Sequence, residues 1–215
     1  MATSILVQLA MVALAAVILP CHSADPDPLQ DYCVADLTLN LTINGYPCKD
    51  YYAATIDDFV FSLATPANTS NAYGADSFPG IVQTFPGLNT LGFAILRLDF
   101  AVGGLIPPHT HPLASELVYV EEGSLYAGFV TQDNRLFAKI LNKGDVLVIP
   151  RALIHWQLNV GDTPAKAIAT LNSQQNPGAQ LIASSMFGSG IRDDVLAKTF
   201  FLDESIVRQL KSQFS

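Results

Sequence analysis

Basic charge is scarce in this chain: 11 Lys and Arg stand against 19 Asp and Glu, a formal net charge of −8, and no basic cluster interrupts the pattern. A surface of that sign repels phosphate backbones and anionic headgroups, which excludes nucleic acid as a partner. Long hydrophobic runs are also few. One is present, ILVQLAMVALAAVIL at residues 5–19, and it is too short for a membrane span. It leads into PCHSA, small residues suited to signal-peptidase cleavage, although no Lys or Arg precedes it. Residues 1–24 therefore read as a secretory signal cut after Ser23 or Ala24, with a retained anchor as the alternative. After cleavage no apolar run remains that would hold the protein in a membrane, which makes the product an extracellular one. Internal repeats and low-complexity tracts are lacking, and the length fits one domain.

Cysteine is rarer still. The leader carries Cys21, which leaves Cys33 and Cys48. An even pair in an exported chain favours a disulfide over two separate buried thiols, and the short loop it closes is worth roughly 3 kcal/mol in the chain-entropy model. Two N-x-[ST] sequons, at Asn40 and Asn68, are candidate glycan sites in the same compartment.

Half of the residues are hydrophobic and 14% are charged, enough for a substantial core. Residues 25–58 are polar and turn-rich and hold both cysteines, an N-terminal extension; a loop rich in Asn, Ser, Gly and Ala follows at 66–80. From about residue 92 to 172, short apolar runs recur: FAILRLDF, ELVYV, SLYAGFV, LFAKIL, DVLVIP, IHWQLNV and AKAIATL. Turn clusters such as EEG, QDNR, NKGD and NVGDTP divide them. That spacing predicts an all-β sandwich or barrel. The tail changes period: in DESIVRQLKSQF, Ile206, Val207, Leu210 and Phe214 share a helical face with Asp203 as a cap, and residues 192–200 suggest another short helix.

Histidine is the most informative scarcity. Of four in the chain, His22 falls in the leader, and the rest are His109 and His111 in PPHTHP and His155 in IHWQLN. On a strand, side chains two apart share a face, so His109 and His111 point the same way, with Glu116 five residues on. Burying imidazoles with a carboxylate is costly unless something satisfies them. A divalent cation does so, since neutral imidazoles and an ionised carboxylate all donate to it; a hydrogen-bonded histidine cluster is the alternative.

These segments resemble the germins and germin-like proteins of plants, members of the cupin superfamily. The first cupin motif, G-x5-H-x-H-x4-E-x6-G, is filled by Gly103, His109, His111, Glu116 and Gly123. The second, G-x5-P-x-G-x2-H-x3-N, is matched by Gly144, Pro150, His155 and Asn159, with Ala152 where the motif has Gly. DPDPLQDYCVADL, the GYPCK context of Cys48, GLNTLG and NSQQNPG extend the likeness over nearly the whole mature chain. The resemblance implies a jelly-roll-like cupin β-barrel over residues 59–190, after the disulfide-bonded extension and before a C-terminal helical segment at 191–215. It further implies manganese held by His109, His111, Glu116 and His155, a Cys33–Cys48 disulfide, a homohexamer, and a place in the cell wall or apoplast.

Three imidazoles and one carboxylate leave two positions of an octahedron open, whereas structural zinc takes a closed tetrahedral site, often with thiolates. A redox-active ion with open positions suits superoxide dismutation, giving hydrogen peroxide. Oxalate oxidation competes with it. The resemblance implies two asparagines near the metal for that reaction; one falls on Asn89, a possible substrate contact, and the other on Tyr73, with Asn71 two residues earlier. The mismatch weighs against oxalate. Asn89 in a Gly-flanked turn is equally ordinary turn chemistry. A binding or structural cupin that keeps its metal for stability is the third reading.

Overall fold

A computed structural model describes residues 30–42, 45–174 and 179–214. The leader, Cys21 and His22 lie outside the described residues, as do the last four residues of NSQQNPG. The chain folds into two five-stranded antiparallel sheets that face each other around a barrel interior. One runs in the order β1 (Ala75–Gly80), β2 (Ala94–Phe100), β9 (Ala165–Leu171), β4 (Glu116–Glu122), β7 (Val146–Ile149). The other runs β10 (Gln180–Leu181), β3 (Leu105–Thr110), β8 (Ile154–Asn159), β5 (Ser124–Val130), β6 (Leu136–Asn142). Three helices close the chain: α1 (Ile182–Phe187), α2 (Asp193–Phe200) and α3 (Glu204–Lys211). No helix among the described residues is long and apolar enough to cross a membrane.

Alternation decides what faces inward. On β4, Glu116, Val118 and Val120 are buried, while Leu117 and Tyr119 are exposed. On β9 the inward residues are Ala165, Ala167, Ala169 and Leu171. The three alanines meet Leu98, Phe100, Leu125, Ala127, Leu141 and Ile149 in one apolar core, while Leu171 joins Ile81, Ala94 and Ala114 in a second cluster. On β8 the inward set is polar throughout: His155, Gln157 and Asn159. A strand whose core face is polar needs partners for each group, and these partners define the site.

All seven apolar runs are strands. The expected loop at 66–80 is only partly one, because residues 75–80 form β1 and pair with β2 in full register. Pro79 hides this strand from a propensity reading, and it is tolerated because β1 is a sheet edge. In α3, Val207 is fully buried and Leu210 and Phe214 are half-buried, but Ile206 is exposed. Asp203 takes the N-cap position without a side-chain cap bond, unlike the expectation.

The extension is fastened to the barrel. A Cys33–Cys48 disulfide, with Cα atoms 4.9 Å apart, sits beside a bridge between Ala35 and Cys48, and Ala35 N donates to Pro86 O at 3.0 Å. Farther on, Arg97 on β2 donates to the carbonyls of Leu63 and Ala64, at 3.0 Å each, and pairs with Asp99 at 2.8 Å. With Ala67 N donating to Asp99 Oδ2 at 2.8 Å, these contacts lay residues 63–67 across β2.

Candidate metal centre

Two prolines shape the first ligand strand. Ile106 pairs with Gln157 and His109 with His155, so β3 carries one residue more than β8 between these pairs. The bulge falls at Pro107 and Pro108, which lack the N–H of a regular ladder. The neighbour β10 pairs with Thr110 and His109, so among the described residues no partner strand asks the prolines for a donor. Pro107 O, freed from the ladder, accepts a hydrogen bond from His109 Nδ1 at 2.8 Å. His155 is held in the same manner by Leu153 O at 2.8 Å. A carbonyl can only accept, so each Nδ1 carries the proton and each Nε2 is left as a donor of its lone pair.

His111 follows β3 directly and Glu116 opens β4, so the loop at 112–115 joins two members of the cluster. His109, His111, Glu116 and His155 are 1–6% exposed. One ligand atom from each lies within 4.8 Å of all the others. Glu116 Oε2 is 2.9 Å from His155 Nε2 and 3.4 Å from His111 Nε2. Yet Glu116 Oε2 and His155 Nε2, which face each other there, make no aligned hydrogen bond; His111 Nδ1, the ring nitrogen not turned to Glu116, also lacks a partner. Lone pairs that converge so closely without bonding one another leave a buried polar deficit, and a cation at their centre removes it.

The electrostatics agree. Burial pushes the His109 imidazole down to about 4, so it is neutral at pH 7. Burial alone would raise the Glu116 carboxyl, but the close imidazoles of His111 and His155 outweigh it and hold it at about 2. A neutral imidazole and an ionised carboxylate are the states that bind a metal. Both described cysteines are in the disulfide, so no thiolate is available to favour zinc.

Sequence reasoning missed Gln157. It is 1% exposed, two residues from His155 on the inward face of β8, and both atoms of its carboxamide lack a partner. The alternation of IHWQLN carried the signal, since whatever places His155 inward places Gln157 beside it. Asn159, next on that face, is fully satisfied: Nδ2 donates to Ala101 O and Thr163 O at 2.8 Å each, and Oδ1 accepts from Gly161 N at 3.0 Å.

Asn89 is not free to contact a substrate. It is wholly buried, Nδ2 donates to Tyr46 O at 2.8 Å and Cys33 Sγ at 3.2 Å, and Oδ1 accepts from Tyr46 N at 3.2 Å. With donors and acceptor spent, it staples the disulfide segment to the barrel. Asn71 is likewise spent on Asn68 O, Ala75 O and Tyr73 N, each at 2.9 Å. Asn40 and Asn68 are both exposed.

The Cupin family model matches residues 61–208. Germin-like protein subfamily T member 2 of Arabidopsis thaliana is 48% identical over 201 residues, covering 92% of this chain and 90% of the relative. Germin-like protein 8-2 of Oryza sativa subsp. japonica is 51% identical over 199 residues, 89% of this chain and 90% of its own. A solved structure of oxalate oxidase superposes with a TM-score of 0.86 at 41% identity, over 89% of this chain and 98% of that one. Identity of this order over nine-tenths of both chains, with the cupin barrel and its four-residue cluster in place, means that the chain belongs to the germin-like proteins of the cupin family.

Proposed function

We propose that this germin-like protein is a secreted, manganese-holding enzyme of the plant cell wall that dismutates superoxide, two superoxide ions and two protons giving dioxygen and hydrogen peroxide. The observation that carries the reading is the cluster itself: three imidazoles and a carboxylate, buried, with ligand atoms within 4.8 Å and no other partner for the central ones. Manganese bound there would supply reversible one-electron chemistry. The protein's own groups do the rest. Pro107 and Leu153 fix the tautomers of His109 and His155, and the burial of all four cluster residues limits water. The carboxamide of Gln157 offers a donor and an acceptor beside the ligands, suited to orienting a small polar substrate or its water.

Oxalate oxidation is the second reading, favoured by the likeness to oxalate oxidase. It lacks Asn89 as an orienting group, because that amide is committed elsewhere. The same proposal includes glycans at the exposed Asn40 and Asn68. It also includes a homohexamer; Phe201, 94% exposed, and the outward Val146 and Val148 of β7 are apolar surface that such an assembly would bury.

Protein purified from secreting tissue is analysed for metals and assayed with superoxide and with oxalate. Stoichiometric manganese with dismutase activity is expected. Manganese without dismutase activity would move the protein to a binding or structural role, and hydrogen peroxide released from oxalate would restore the oxidase.

A further inference from the structure

We infer that Arg151 is a positioning residue of the metal centre and that its guanidinium sets how firmly the ion is retained. The inference rests on reading the four-residue cluster as a metal site. The loop at 112–115 connects His111 to Glu116, and its tip, Pro112 and Leu113, is exposed. Arg151 reaches across from the turn between β7 and β8 and holds that tip: Nε donates to Pro112 O at 3.0 Å and Nη2 to Leu113 O at 2.8 Å. The next residue, Ala152, donates its N–H to His111 O at 3.1 Å. The one after, Leu153, accepts from the ring of His155 at 2.8 Å. Three consecutive residues of one turn thus contact the ligand loop, the His111 backbone and the His155 imidazole.

At its far end the loop is held by Ser115, whose N donates to Asn172 Oδ1 at 2.7 Å and whose O accepts from Asn172 N at 3.3 Å. Before it, the buried Ala114 packs with Ile81, Ala94 and Leu171 and donates its N–H to His111 O at 3.3 Å. Among the described residues, Arg151 is the only side chain that hydrogen-bonds the exposed tip. Ala152 adopts φ +65, a left-handed conformation that a Cβ disfavours, at the position where the cupin motif has Gly. Such a residue persists where its surroundings over-determine it, and the contacts to His111, Pro112 and Leu113 do so here. A guanidinium is suited to this task because its planar, fixed donors span two successive carbonyls, whereas an ammonium is a single mobile point. Both carbonyls belong to exposed residues, so water can replace the arginine without loss of the fold. What is lost is the tether on the segment that must open for His111 and Glu116 to let go of an ion.

The test uses the mature chain loaded with manganese(II) alone, as wild type, Arg151→Ala and Arg151→Lys. Release into excess chelator, the manganese(II) paramagnetic resonance spectrum, and thermal unfolding of the metal-free proteins are recorded. Arg151→Ala should release manganese about tenfold faster or more, the range seen when groups that orient metal ligands are removed. Its spectrum should show altered zero-field splitting, Arg151→Lys should fall between, and the metal-free unfolding midpoints should stay together. Wild-type release rate and spectrum in Arg151→Ala would overturn the assignment of Arg151, as would midpoints that fall in step with release. Failure of wild-type protein to hold manganese would overturn the metal centre itself, and the two failures are distinguished by which protein shows them.

Discussion

His155 Nε2 on β8 and Glu116 Oε2 on β4 stand 2.9 Å apart, although their strands belong to opposite sheets. An ion held between them ties the two sheets together, so metal and fold are thermodynamically linked. In His155→Ala one ligand is gone and the others keep their strands. Stoichiometric manganese and dismutase activity should be lost together, the far-UV circular dichroism should stay that of the wild type, and added manganese should no longer raise the unfolding midpoint. Stoichiometric manganese in this variant, by elemental analysis, would contradict the role given to His155.

Gln157 separates function from stability. A buried amide with neither atom paired costs about 1–3 kcal/mol per unsatisfied group, a cost that a side chain of similar volume without polar atoms avoids. Gln157→Leu should therefore leave the metal-free protein as stable as wild type or more stable, in denaturant titration. It should keep its manganese and lose superoxide turnover about tenfold or more, as second-layer groups at metal sites typically do. Undiminished turnover with full manganese would remove Gln157 from the mechanism.

The barrel was legible because alternation and turn residues act locally: each run from FAILRLDF to AKAIATL announces its own strand. The cluster was legible because few histidines compete for the role. What escaped depended on partners distant in sequence. Gln157 reads as an ordinary strand residue until its carboxamide is seen to lack a partner, and Asn89 reads as a turn residue or a substrate contact until Tyr46 and Cys33, more than 40 positions away, are seen to consume it. Ala152 stands out against the cupin motif, but only its φ of +65 shows that the turn keeps the glycine conformation without the glycine.

Asn89→Ala tests the staple. It leaves the N–H and carbonyl of the half-buried Tyr46 without this partner, and mutations of this kind cost about 1–3 kcal/mol. The unfolding midpoint in urea should fall accordingly, while manganese content and turnover per folded molecule stay at wild-type values. A selective loss of turnover with unchanged stability would return Asn89 to the substrate.

Acid should destabilise the metal-free barrel in two overlapping stages. An unfolded His109 takes up a proton near 6.5, but burial in the native state delays this to about 4, so between those values the unfolded chain binds the extra proton. Stability then falls as pH falls through that window. Glu116 continues the trend, because its unfolded carboxyl protonates near 4.5 and the native one only near 2. Neither group stabilises the native state on acidification, so the slope keeps one sign from about pH 6.5 downward. Between pH 7 and pH 4 the loss assigned to His109 is on the order of 2–3 kcal/mol. Chemical denaturation of metal-free protein across this range measures it, and His109→Asn should flatten the upper part of the curve while leaving the part due to Glu116. Equal stability of wild type at pH 7 and pH 5 would mean that burial does not hold His109 below its ordinary imidazole range.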